Sequence, residues 1–266
     1  MDVGYSSARR GVKGSSMVWD YLLLGAVGFV AQLIDGALGM AFGVISTSAM
    51  LAMGVPVAQA SAMVHTAEVF TTAASAASHI AHKNVDWKLV ARLGVGGVIG
   101  AVLGAWVLSN IDGKTIQPFV AFYLLLLGIF ILLKAARKIP KSDAPIALAP
   151  PLGLVGGFLD ASGGGGWGPM VASTLIGSGQ APRQAVGSVN TTEFFVTVAA
   201  ATTFFVELGI APWRELIALV IGGVLAAPFG GWAVKKLPPR LLMTMVGILV
   251  MSLSAWQLAR WFKLFQ

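Results

Sequence analysis

The chain has 266 residues, of which 56% are hydrophobic and only 11% charged, and its formal net charge is +7. A water-soluble domain carries about 25% charged residues to solvate its surface, so a soluble enzyme is excluded, as are a disordered chain and a collagen-like fibre. The 33 glycines suit helices that approach one another in lipid, and the absence of cysteine removes disulfides, iron–sulfur clusters and thiolate chemistry.

The first 16 residues are polar, carry Arg9, Arg10 and Lys13, and read as a disordered cytoplasmic tail with no cleavable signal peptide. Apolar runs follow at 17–37, 41–54, 60–81, 89–109, 116–136, 146–162, 168–179, 185–206, 214–234 and 241–260. About 20 apolar residues cross one hydrocarbon core, which makes 41–54 and 168–179 too short to cross comfortably. Each of these two follows a glycine-rich break, Asp35-Gly36-Ala37-Leu38-Gly39 in the first case and Asp160-Ala161-Ser162-Gly163-Gly164-Gly165-Gly166 in the second.

The breaks recur at matching positions. An offset of 125 residues places Gly28, Asp35, Gly39 and Gly43 on Gly153, Asp160, Gly164 and Gly168, and Val64, Thr66, Glu68 and Phe70 on Val189, Thr191, Glu193 and Phe195. One further inserted residue puts Trp87, Gly96, Gly104 and Trp106 on Trp213, Gly222, Gly230 and Trp232. Chance matches between apolar stretches favour Leu, Val and Ala, not Asp, Glu and two Trp together. The expected fold is therefore an all-α polytopic membrane protein of two repeated four-helix units with broken or re-entrant segments. The first repeat covers 17–137, a polar linker 138–147, and the second repeat 148–266.

Excess Lys and Arg in a membrane protein belong in cytoplasmic loops rather than on nucleic acid. With eight spans and the N-terminus inside, only Lys114, Arg183, Lys235, Lys236 and Arg240 fall outside, leaving 13 of the 18 basic residues inside. A ten-span arrangement with an inverted repeat fits the positive-inside rule less well and stays open.

Ionisable groups deep in a bilayer cost about 2.5 to 3.5 kcal/mol each on insertion scales, so Asp35, Glu68, Asp160 and Glu193 need a reason to be there. Ser61, His65, Glu68, Thr72, Ser75 and His79 recur at steps of three and four and share one helix face. Asn190, Glu193 and Thr197 repeat that spacing in the second half. Such a stripe serves either to bond helices together or to line a substrate or proton path. Glycine breaks expose backbone that lipid cannot satisfy, and the N-terminus of the following half-helix offers bare N–H groups suited to an anion; a packing kink is the alternative use. Gly96, Gly100 and Gly104, repeated as Gly222, Ala226 and Gly230, read as a helix-contact ridge. Trp167 is placed to wall the second break, and Trp87 and Trp213 to anchor the starts of helices at the interface. No glycine cluster is followed by Lys-Ser or Lys-Thr, so a nucleotide loop is absent.

The pattern resembles the sulfite exporter family, TauE/SafE. The matching residues are Gly28 with Asp35 to Gly39, then Gly156-Gly157-Phe158 leading into Gly163 to Gly166 and Pro169, and Gly187 with Asn190-Thr191. The resemblance implies a multi-pass inner-membrane permease of bacteria or archaea for small anions such as sulfite and organosulfonates. In the first half the glycine run is thinned by Leu38, Met40 and Ala41, so the second half is the expected side of backbone contact.

The expected protein is a secondary transporter with a small anionic substrate, in contact with the lipid bilayer, with no cofactor, no metal and no nucleic-acid partner; a homo-oligomer is left open. Substrate contacts are expected from the amides of Gly39, Gly163, Gly164, Gly165 and Gly166 and from Thr66, Ser162, Asn190 and Thr191. Proton coupling or passage is expected at Asp35, His65, Glu68, Asp160 and Glu193, because an ionised group away from water is costly. A channel or cation carrier using the four carboxyls is the alternative. An intramembrane serine hydrolase is disfavoured, since no histidine follows His82 to pair with Ser162 in the rhomboid order.

Overall fold

A computed structural model describes residues 14–136, 148–178, 180–209, 213–236 and 239–263. The described residues fold into α1 (Gly14–Leu38), α2 (Phe42–Ala52), α3 (Val57–Ala81), α4 (Trp87–Asn110) and α5 (Gly113–Ala136). After residues 137–147 come α6 (Ala149–Gly163), a π-helical turn (Gly168–Ala172) that runs straight into α7 (Ser173–Gly177), then α8 (Pro182–Leu208), α9 (Trp213–Lys236) and α10 (Pro239–Trp261). The 138–147 linker and most of the N-terminal tail lie outside the described residues. Helix α1 starts at Gly14 and takes in Ser15 and Ser16, the last residues of the stretch expected as a tail.

Local chemistry sets several of these ends. Asp86 caps α4, its carboxylate accepting the amides of Lys88 at 2.9 Å and Leu89 at 3.3 Å. Proline falls in the first turn of α6 and of α8, where the missing N–H costs nothing. Asp86→Ala should lower stability by about 1 kcal/mol, read as a fall in the thermal midpoint of the detergent-solubilised protein with no loss of assembly.

The molecule is inside-out relative to a soluble bundle. Phe119, Phe122, Leu126 and Leu133 on α5, and Val95, Ile99 and Leu103 on α4, face outward at helical spacing. Asp35, His65, Glu68, Asp160, Asn190 and Glu193 are all buried. Water would reverse this distribution; lipid favours it. Among the described residues, four helices, 87–110, 113–136, 184–208 and 243–261, are long and apolar enough to cross a membrane. With 11 residues, α2 rises only about 16 Å at 1.5 Å per residue, roughly half the hydrocarbon thickness.

Backbone-to-backbone packing holds the bundle. On α4, a Cβ on Gly96, Gly100 or Gly104 would run into the carbonyls of Pro150, Leu154 or Phe158 on α6. The same relation joins α9 to α1, where Gly222 abuts the Gly25 carbonyl and Gly28 the Leu219 carbonyl. Gly96, Gly100, Gly104 and Gly222 are helix contacts, as their spacing implies, while Gly230 lies outside the residues whose side-chain surroundings are described. Helix α5 packs on α10, and α3 packs on α8.

Candidate functional site

Among the described residues, the chain leaves the helix after α1 and again after α6, and each of these interruptions is organised by an aspartate. At the first, Gly39 adopts φ +67° and its amide bonds the Asp35 carbonyl at 2.6 Å. The Asp35 carboxylate then reaches across the break, Oδ1 accepting the amides of Ala41 at 2.9 Å and Phe42 at 3.4 Å where α2 begins. At the second, Gly164 has φ +69°, and the Asp160 carbonyl accepts the amides of Gly164 and Gly165, the latter at 3.0 Å. Asp160 Oδ1 accepts the Trp167 amide at 3.0 Å, one residue before the π-helical turn. These are charge-assisted caps on half-helix N-termini, where a negative group is favoured.

This arrangement differs from the sequence expectation. Gly39, Gly164 and Gly165 give their amides to the backbone of Asp35 and Asp160, and Gly163 closes α6. The amides of Gly39, Gly164 and Gly165, expected to await an anion, are thus engaged by the chain's own carbonyls, and those that open the following helical pieces, Ala41, Phe42 and Trp167, by its own carboxylates. The reason is reach: an aspartate four residues before the break lies close enough, once glycine turns the backbone, to serve the amides beyond it.

The two interruptions touch. A Cβ on Gly168 would lie 2.5 Å from Met40 Cα, and one on Gly165 would lie 2.5 Å from Val44 N and 2.7 Å from Gly43 C. Gly43 faces Gly165 Cα and Glu68 Oε1, at 3.1 Å and 3.0 Å from where its Cβ would stand. The junction is therefore backbone against backbone, with the Glu68 side chain beside it.

Polar faces of α3 and α8 complete the centre. Ser61, His65, Glu68 and Thr72 on α3 are buried as the spacing predicts, while Ser75 and His79 are half-buried. His65 bridges to α6: Nε2 lies 3.2 Å from Asp160 Oδ2, and Nδ1 lies 2.8 Å from the Ser61 carbonyl oxygen. Ligand-type atoms of His65, Glu68 and Asp160 all lie within 4.8 Å of one another, and Asp35 and Glu193 are near enough to Glu68 and Asp160 to interact with them electrostatically. On α8, Asn190 Nδ2 lies 3.3 Å from His79 Nε2. Glu68 Oε2, Glu193 Oε2 and Asn190 Oδ1 are buried with no hydrogen-bond partner among the described residues.

Three expected donors look elsewhere. The hydroxyls of Thr66, Ser162 and Thr191 donate to carbonyls one turn back on their own helices, those of Ala62, Phe158 and Gly187. Each must rotate away from that bond before it can meet a solute.

Other residues reach the junction without having been singled out from the sequence. Tyr123 of α5 donates its hydroxyl to the Gly165 carbonyl at 3.0 Å. Thr47 lies against Gly164, and the hydroxyls of Ser46, Thr47 and Ser48 are buried without a partner among the described residues. A Ser-Thr-Ser run inside an 11-residue apolar helix was the available signal. Trp167 does wall the second break: it is fully buried, with its indole N–H on the Val189 carbonyl at 3.3 Å and its ring against Gly97 and Gly156.

Residues 24–256 match the family described as Sulfite exporter TauE/SafE. The chain belongs to the TauE/SafE family. Among curated proteins, this TauE/SafE member is similar to "Probable membrane transporter protein YtnM" of Bacillus subtilis (strain 168), 43% identical over 238 residues, covering 86% of this chain and 79% of the relative. No solved structure matches it. The family and the relative make it a membrane transporter, with apolar helices suited to that solvent.

Proposed function

We propose that the chain is a secondary transporter that moves a small anion, namely sulfite, an organosulfonate or a related sulfur oxyanion, across the inner (plasma) membrane, with proton coupling through its buried acids and His65. It is not an enzyme, and it crosses the membrane several times as two repeats joined by the 138–147 linker. The observation that carries this is the paired half-helix N-termini, each already occupied by a carboxylate. A site that accepts a carboxylate on main-chain amides has the charge and donor geometry for a small oxyanion. The repeat is supported by equivalence of role: Asp35 and Asp160, matched at the 125-residue offset, do the same thing on either side of the centre. Interrupted helices meeting between repeats are the usual place for a carrier's solute.

Purified protein in proteoliposomes, offered sulfite, sulfate and a short alkyl sulfonate with and without a pH gradient, tests the assignment. Uptake of sulfite or the sulfonate above protein-free vesicles is expected; no uptake of any of them in either condition would remove the substrate class. Asn190→Ala with Thr191→Val should reduce that flux roughly ten- to a hundredfold, about 1.5 to 3 kcal/mol for hydrogen bonds to a charged partner, while the protein stays folded. Undiminished flux would take both residues out of the solute path.

A further inference from the structure

The protons around His65 can be counted from geometry alone. A backbone carbonyl only accepts, so the 2.8 Å contact between Nδ1 and the Ser61 oxygen requires hydrogen on Nδ1. The Ser61 hydroxyl, 3.3 Å from the same nitrogen, is not a rival donor, because it gives its hydrogen to the Ala161 carbonyl at 2.8 Å. A neutral imidazole protonated at Nδ1 has a bare lone pair at Nε2. That lone pair would face Asp160 Oδ2, also without hydrogen when ionised, at 3.2 Å in a site closed to water. Two buried acceptors do not hold such a contact. One more proton therefore lies between them, whether imidazolium to carboxylate or imidazole to carboxylic acid. In both forms the pair is neutral; without that proton it carries one negative charge.

The same carboxyl caps the second half-helix through its other oxygen, on the Trp167 amide. We propose that the His65–Asp160 bridge is the exchangeable proton site of this transporter, and that its occupancy sets whether the interruption at Gly164–Trp167 accepts a negatively charged solute. The proposal rests on the transporter reading for its coupling half only. With the proton in place, Asp160 is held between His65 and the Trp167 amide, and the α3–α6 seam is neutral there. When the proton leaves, Nε2 and Oδ2 become facing acceptors and the seam gains a negative charge. A monovalent anion then meets repulsion. Proton and anion thus occupy the centre together and travel in the same direction, one proton for each turn of this site.

Other titratable groups face the bridge from every side: Glu68 on α3 itself, Asp35 from α1, Glu193 from α8 and Tyr123 from α5. None of them is shown joining His65 to a half-helix cap, which is what singles out the bridge. The matched position in the second half is Asn190 instead of histidine, so the device exists once per chain.

Nitrogen-15 NMR of histidine-labelled full-length protein in nanodiscs tests the bridge without any solute, with His79→Gln and His82→Gln used to assign the His65 signals. At the acid end, Nδ1 should be protonated and Nε2 should show a proton bound or shared. On alkaline titration, Nε2 alone should move to the bare-nitrogen range. In Asp160→Asn, Nε2 should be bare at every pH, since an amide now donates to it. The proposal is overturned if wild-type Nε2 is bare throughout, if Nδ1 is the bare nitrogen, or if the purified protein holds one equivalent of Zn²⁺ or Mn²⁺ on this cluster through desalting. Should Asp160→Asn fail to fold, the wild-type titration decides alone. In vesicles of phosphatidylethanolamine and phosphatidylglycerol, an inward proton gradient should raise wild-type sulfite accumulation about tenfold, corresponding to about 1.4 kcal/mol, and should not raise it in His65→Asn. Equal stimulation of both proteins would also overturn the proposal. A correct NMR titration with no sulfite or sulfonate flux in wild type would instead refute the substrate assignment and leave the bridge standing.

Discussion

Replacing Gly100 by leucine should leave little or no folded protein. Gly100 sits midway along the α4–α6 contact, where a Cβ would collide with the Leu154 carbonyl and lie only 2.8 Å from the Phe158 amide nitrogen. Both of those atoms are helix backbone, so no rotamer change relieves the clash, and α4 would have to move away from α6 as a body. Overpacking a core costs about 1 to 3 kcal/mol where side chains can adjust; with main chain on both sides, about 3 kcal/mol or more is expected. In lipid nothing repays the separation, because the helices gain no hydrophobic drive from re-packing and depend on close contact. Gly113→Ala is the control. It lies at the exposed start of α5 with no atom of the described residues within 4 Å of its would-be Cβ, and should change stability by no more than about 0.5 kcal/mol. Thermal unfolding and size-exclusion profiles of the two variants in detergent would check the difference. A monodisperse, wild-type-like Gly100→Leu protein would show that the ridge does not hold these helices together.

The contrast between these two glycines marks what the sequence made legible. Glycines at four-residue spacing on an apolar helix point to a seam, and the seam is there, although nothing local says that α4 meets α6 rather than its own neighbours. Helix positions followed from apolar run length because lipid demands uninterrupted helix. The runs at 116–136 and 168–179 correspond to α5, Gly113–Ala136, and to the Gly168–Gly177 piece. Trp87 and Trp213 each open a helix and stand more than half exposed, as interfacial anchors should.

The inner chemistry was only partly legible. A 3–4 spacing put Ser61, His65 and Glu68 on one face, and burial of that face followed from the cost of exposing it to lipid. The partner of His65 was hidden, since Asp160 lies 95 residues away and no periodicity links them. The Asp35 and Asp160 caps were hidden for another reason. They span six and seven residues across a turn that exists only once glycine takes positive φ, so a helical wheel places the carboxyl away from the amides it serves. Tyr123 gave no periodic signal, being one aromatic among Phe119, Phe122 and Phe130 on a helix that is apolar nearly all round.

Gly165→Ala should abolish anion flux, and comparison with Gly209→Ala isolates the cause. Both glycines have positive φ, +147° and +81°, so both alanines carry a dihedral penalty of about 1 to 2 kcal/mol. Around Gly209 no atom of the described residues lies within 4 Å of the added Cβ. At Gly165 the added Cβ would stand 2.5 Å from Val44 N and 2.7 Å from Gly43 C, both main chain of the opposite interruption. Relief requires the two breaks to part, which pulls the Gly165 carbonyl from the Tyr123 hydroxyl and shifts Asp160 relative to the Trp167 amide. Gly209→Ala should therefore lose a little thermal stability and keep its sulfite uptake, while Gly165→Ala loses uptake by more than about a hundredfold even where folded protein is recovered, the junction having cost more than about 2.7 kcal/mol to deform. Matching uptake in the two variants would mean that contact between the interruptions plays no part in transport, and the solute would have to pass elsewhere in the bundle.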